Sequence, residues 1–96
     1  MTRAEALAWL RQHREEFADL HVRSLALFGS VVRDEAGATS DVDVLVEFDA
    51  PVGLFEFLEL RERLERILGV RVDLVTPRGL KPQLRDRILA EAVRAT

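Results

Sequence analysis

Residues 22–48 read VRSLALFGSVVRDEAGATSDVDVLVEF, and two apolar runs within them decide the fold. The first, Val22–Phe28, is short, rich in branched and aromatic residues, and reads as a strand with Leu25 and Leu27 on one face. Gly29-Ser30 breaks it, and Ser30 suits the start of a short helix over 30–35. Residues 36–40, Ala-Gly-Ala-Thr-Ser, form a turn-rich connector. The second run, 41–48, alternates: Val42, Val44, Val46 and Phe48 point one way, and Asp41, Asp43, Leu45 and Glu47 the other. The first set needs a core. The second brings two aspartates side by side on the face left open.

Working outward, Thr2 and Glu5 have the spacing of a capping box. Ala4, Leu7, Ala8 and Leu10 then give an apolar stripe that predicts a helix over 3–16. Beyond the loop 49–53, helical periodicity returns over Leu54–Leu68, with Leu54, Phe57, Leu58, Leu64, Ile67 and Leu68 on its apolar face. Gly69 is placed to end that helix. A third strand over 70–75 points Val70, Val72 and Leu74 one way and Arg71, Asp73 and Val75 the other. A last helix over 81–95 admits Pro82 in its first turn. The order α-β-(short α)-β-α-β-α predicts an α/β (α+β) fold, a small mixed sheet with helices packed on it.

A chain of 96 residues is sized for a single domain, 1–96, with little room for a separate acceptor-binding part. Any substrate site is therefore expected to be completed from elsewhere, in a homo- or hetero-oligomer. The net charge is −3, and there is no Lys/Arg-rich run; the one lysine is Lys81. That argues against a dedicated nucleic-acid surface, though not against binding a nucleotide. With no cysteine there is no disulfide framework and no thiolate zinc site. The N-terminus has no secretion-signal pattern, and no apolar run nears the ~18 residues a membrane span requires. These features point to a cytoplasmic protein.

Asp41, Asp43 and Asp73 are the candidate metal-binding and catalytic residues. Two unit charges ~4 Å apart repel by ~1 kcal/mol in water and by ~4 kcal/mol at an effective dielectric of ~20. A cation would offset that cost, and Mg²⁺ takes oxygen ligands while leaving room for phosphate oxygens and water. Gly29 and Ser30 suit a phosphate, which can approach a glycine backbone closely and accept from a hydroxyl and from N–H groups. Arg33, about one helical turn after Ser30, is placed to reach the same phosphates. Each feature alone is commonplace; a Gly-Ser turn, an Asp-x-Asp strand and a third Asp-bearing strand in this order are not.

The combination resembles the nucleotidyltransferase superfamily that includes DNA polymerase beta and kanamycin nucleotidyltransferase, and more closely its smallest members, the minimal nucleotidyltransferases. The stretches 27–33 (LFGSVVR), 40–46 (SDVDVLV), 72–77 (VDLVTP) and 80–93 (LKPQLRDRILAEAV) carry the resemblance, which covers the chain from Val22 onward. It implies that Gly29 and Ser30 hold the triphosphate of ATP, with Arg33 assisting. It implies that Asp41 and Asp43 bind Mg²⁺, and that Asp73 completes the site as third ligand and general base. Two positions depart from the family pattern: Val32 and Asp34 stand where relatives often have Ala and Gly. Asp34 either pairs with Arg33 and faces away, or faces inward, where its charge would weaken nucleotide binding. Minimal members are often encoded beside a small helical HEPN protein, a ribonuclease toxin that they neutralise by transferring AMP to a tyrosine. The resemblance therefore implies an antitoxin enzyme. The alternatives are a non-catalytic nucleotide- or partner-binding antitoxin module and a transferase acting on a small molecule or nucleic-acid end.

Overall fold

Thr2 opens the first helix, α1 (Arg3–Gln12), because its hydroxyl accepts from the Glu5 N–H at 3.1 Å while the Glu5 carboxylate accepts from the Thr2 N–H at 3.0 Å. This is a computed structural model, and it describes residues 1–35, 37 and 41–96. The helix stops four residues short of the expected 16, and the chain tightens into a 3₁₀ helix, Arg14–Leu20. A 3₁₀ turn repeats every three residues, which lines up Phe17 and Leu20 on the buried side. The buried face of α1 is Ala6 and Leu10, with Leu7 partly covered; Ala4 and Ala8 are exposed. Alanines carry too little apolar area to set which way a helix turns.

Strand β1 (Val22–Phe28) pairs antiparallel with β2 (Val42–Phe48), and β2 pairs in parallel with β3 (Val72–Val75) across the crossover helix α2 (Leu54–Leu68). The sheet order is β3-β2-β1-β4, so the sheet is mixed, as expected. Helix α3 (Pro82–Glu91) begins with its proline in the first turn but ends before the predicted 95. Ala92 turns extended, and Val93–Arg94 form β4 against β1. This covers an edge of β1 that would otherwise present unpaired N–H and C=O groups. The Ala95 N–H donates to the Leu25 carbonyl at 2.8 Å. Arg11 of α1 holds the tail through the carbonyls of Ala95, at 2.9 Å, and Arg94, at 3.1 Å.

One sheet face packs Val42, Val44 and Val46 with Leu25 and Leu27 against Leu60 and Leu64 of α2 and Leu10 of α1. Each such side chain contributes roughly 1.5–3 kcal/mol by leaving water. Leu54, expected on the apolar face of α2, is exposed, and Leu60 takes a buried place instead. Gly69 ends α2 at φ +69 in the left-handed region, as its position predicts. The opposite sheet face is divided. Phe28, Leu45 and Leu80 are buried with Ile88 of α3 and Ala92 just after it against them, while the end that carries the aspartates is left accessible. Among the described residues, no helix is long and apolar enough to cross a membrane.

Candidate active site

The register of the sheet assembles the carboxylates. Asp43 lies opposite Phe28, the last residue of β1, and beside Asp73 on β3. Asp41 stands just before β2, exposed. Asp43 is half-buried. Burial, then the Asp73 carboxylate with which it shares a hydrogen bond, then the charges of Asp41 and Glu91, push the Asp43 carboxyl up to about 6. The expected repulsion between clustered acids is thus present in the fold, with Asp73 a stronger neighbour of Asp43 than Asp41 is.

Gly29 turns the chain at the end of β1 with φ +75. An ideal Cβ placed on it would lie 2.2 Å from Asp43 Oδ2, so any side chain there would collide with the carboxylate. The short helix expected over 30–35 is reduced to one 3₁₀ turn, Gly29–Val31, with Ser30 part-exposed in it. Any phosphate grip there therefore rests on the turn's own groups, since three residues provide no helix dipole to speak of. Of the connector over 36–40, only Gly37 lies within the described residues.

Arg33 is exposed, and its guanidinium pairs with Glu91 of α3 and, at 3.1 Å, with Glu35. Glu91 also accepts from the Gly29 N–H at 3.3 Å. It therefore occupies two of the three residues that the sequence assigns to a phosphate, Gly29 and Arg33, and not Ser30. No local pattern marks Glu91, which reaches this site only because α3 lies across the sheet. Asp34 faces away: its Oδ1 accepts from the Arg3 N–H at 2.8 Å, so it caps α1 and leaves Arg33 to the glutamates.

Among the described residues, no three carboxylate or imidazole side chains converge closely enough to cage an ion. Asp43 and Asp73 nevertheless offer oxygen donors on neighbouring strands and an uncompensated charge. Mg²⁺ commonly takes only one or two carboxylates and fills its other positions with water and phosphate oxygens. The donor set fits that incomplete kind of site.

A parallel β2–β3 pair with an Asp on each strand, preceded by a Gly-Ser turn, is the arrangement of a nucleotidyl-transferring domain. Residues 10–95 match the nucleotidyltransferase domain model, and the chain belongs to that family. It is 43% identical over 94 residues to the protein adenylyltransferase MntA of Thermococcus cleftensis, covering 97% of this chain and 95% of that one. A Methanocaldococcus jannaschii sequence provisionally named a protein adenylyltransferase is 44% identical over 82 residues, 82% of each chain. Among solved structures, a provisionally assigned minimal nucleotidyltransferase aligns with TM-score 0.75 at 41% identity over 97% of this chain and 95% of that one. A chain of a toxin–antitoxin complex solved with AMP-PNP shares the fold at TM-score 0.69 and 21% identity, covering all of this chain and 73% of that one.

Proposed function

We propose that the chain is a Mg²⁺-dependent protein adenylyltransferase that moves AMP from ATP to a hydroxyl of a HEPN-type helical partner, acting in the cytoplasm as the antitoxin of the pair. The observation that carries this reading is the contact between the Gly29 turn and Asp43, with Asp73 on the adjacent strand. It supports the reading that a polyphosphate lies at the glycine turn beside the acids. The relative named as a protein adenylyltransferase, matched over nearly the whole of both chains, supports the acceptor class. A structural neighbour comes from a complex described as a tri-AMPylated HEPN toxin with an MNT antitoxin, which supports the partner.

In this mechanism the Gly29 N–H and the Ser30 hydroxyl bind the β- and γ-phosphates, and Arg33 turns from Glu91 to meet them. Asp43 and Asp73, with Asp41 just before β2, would hold the metal ion, which would supply positive charge to offset that of the phosphates and of the departing pyrophosphate. Asp73 accepts the proton of the acceptor hydroxyl. The hydroxyl oxygen bonds to the α-phosphorus, the bond from that phosphorus to the bridging oxygen breaks, and pyrophosphate carries the electron pair away.

A second reading, a binding antitoxin without chemistry, draws on one observation: the Glu91 carboxylate already occupies the Gly29 N–H and the Arg33 guanidinium. One experiment separates the two. The chain is incubated with α-labelled ATP and Mg²⁺, with and without the helical protein encoded beside it, and D41N/D43N serves as control. Label on the partner that disappears in the variant supports transfer. A stable complex without label, in which the variant still neutralises its partner, supports the binding module.

A further inference from the structure

A groove of about 820 Å³ opens beside β3, and its lining includes Asp41, Asp73, Arg61, Glu65 and Arg71. Arg61 projects from α2, and Arg71 leads into β3. Both are exposed; the Arg71 carbonyl accepts from the Val42 N–H at 2.9 Å, but among the described residues neither guanidinium takes part in an ion pair or a hydrogen bond. Among the described residues some arginines are engaged, Arg11 with the C-terminal carbonyls, Arg33 with Glu91, and Arg63 with Asp19, Glu59 and the Glu16 carbonyl, and several others on the surface are not; what sets Arg61 and Arg71 apart is that they line the same groove as Asp41 and Asp73. Glu65 is engaged too, its Oε2 accepting from the Val72 N–H at 2.9 Å. Two unpaired guanidiniums within one groove are thus left facing whatever enters it.

The sheet order says what that is. Gly29 ends β1, Asp43 is on β2 and Asp73 on β3, so the three stand in a row across the sheet with the groove beyond Asp73. Attacking and leaving oxygens lie roughly in line on opposite sides of the transferred phosphorus. With the polyphosphate at the Gly29 end, the hydroxyl must arrive from the β3 end, where the groove opens. Guanidiniums there would take a carboxylate in a two-pronged hydrogen bond.

We propose that this groove seats the acceptor polypeptide, and that Arg61 and Arg71 select an acidic side chain lying next to the hydroxyl to be modified. The inference rests on the transferase reading above and adds the acceptor's chemistry to it. Arg61 and Arg71 act through the acceptor's neighbouring residue, so they determine specificity and take no part in the reaction.

The test uses the full chain and two short fluorescein-labelled peptides, each with one tyrosine, flanked by glutamates in one and by lysines in the other. Peptide binding is followed by anisotropy, transfer by α-labelled ATP, and ATP binding separately by the thermal shift with Mg²⁺. The wild type should bind the glutamate peptide at least ~10-fold more tightly, about 1.4 kcal/mol, and R61E/R71E should reverse the preference while keeping its ATP shift. Equal binding of both peptides by the wild type, or a preference unchanged in R61E/R71E, overturns the proposal. So does a selective loss of ATP binding in that variant, which would give the groove to the nucleotide. A charge preference that reverses without any transfer would leave the groove standing and refute the transferase reading. Transfer without charge preference would do the opposite.

Discussion

Gly29 and Asp43 exclude any larger pairing at their positions: the space a Cβ would take on Gly29 is held by the Asp43 carboxylate, whose Oδ2 would be 2.2 Å away. The backbone there is also left-handed, at φ +75. A non-glycine residue in that region costs roughly 1–2 kcal/mol, and the collision adds to it. Because Asp43 must move aside, the damage falls on the site as well as on the fold. Gly29→Ala should lower the melting temperature by roughly 4–8 °C for each kcal/mol lost in a domain of this size. It should also remove the thermal shift given by ATP with Mg²⁺. An alanine variant that kept the full ligand shift would show that the turn and the carboxylate do not form one site.

The acid pair makes stability depend on pH in a defined direction. The Asp43 carboxyl titrates near 3.8 when unfolded and is pushed up to about 6 in the fold, by burial first and by Asp73 second. Between those values the folded chain keeps a proton that the unfolded chain has released. Stability therefore falls as pH rises through that window and levels off above about 6. In low salt without divalent ions, the melting temperature of the wild type should decline across it, and Asp43→Asn should lose that component. Mg²⁺ with ATP should raise the melting temperature most above about 6, where the carboxyl is ionised and free to take the ion. A wild-type profile identical to that of Asp43→Asn would remove the basis for a strained acid pair.

Asp34 sits at φ +54, also left-handed, and caps α1 through the Arg3 N–H. Aspartate and asparagine tolerate this region better than most residues, and glycine tolerates it best. The same preference makes Asp and Gly interchangeable in this turn. Asp34→Gly should be nearly neutral in stability, the relief of backbone strain offsetting the lost cap. Asp34→Ala keeps the strain and loses the cap, and should cost about 1–2 kcal/mol. Neither should alter ATP affinity, since the side chain is turned toward α1. Circular-dichroism melts beside nucleotide titrations check both, and an affinity change in Asp34→Gly would place Asp34 in the pocket after all.

The strands and the site's acids were legible in the sequence because their signals are local. The alternation over 42–48 and the run 22–28 each encode one buried face, and Gly69 and Pro82 mark helix ends by backbone chemistry. What escaped depends on partners distant in sequence. The break of the first helix, expected to run to 16, serves Phe17 and Leu20 beyond it, which a period of three brings into the core. The end of α3 is set by the free edge of β1, some seventy residues earlier. Arg61, Arg71 and Glu91 carry no motif; their significance lies in which strand's end they reach and in whether another residue has already engaged them.

Glu91 is the clearest case, because its carboxylate does what a phosphate would do. It accepts from the Gly29 N–H and pairs with Arg33, and its charge is among those that push the Asp43 carboxyl up. A bound polyphosphate needs the same donors, so the two compete, and the repulsion between them opposes nucleotide entry. Glu91→Gln removes the charge while keeping the size and an accepting oxygen. It should raise ATP affinity several-fold, and most at low ionic strength, where an exposed charge is least screened. The stability cost should be modest: exposed pairs contribute ~0–1 kcal/mol, and Glu91, part-buried against the exposed Arg33, belongs toward the upper end of that range. Fluorescent-ATP titrations at two salt concentrations give the answer. A weaker affinity in Glu91→Gln would mean that Glu91 instead holds Arg33 in place for the phosphates, a positioning role that a competing anion could not have.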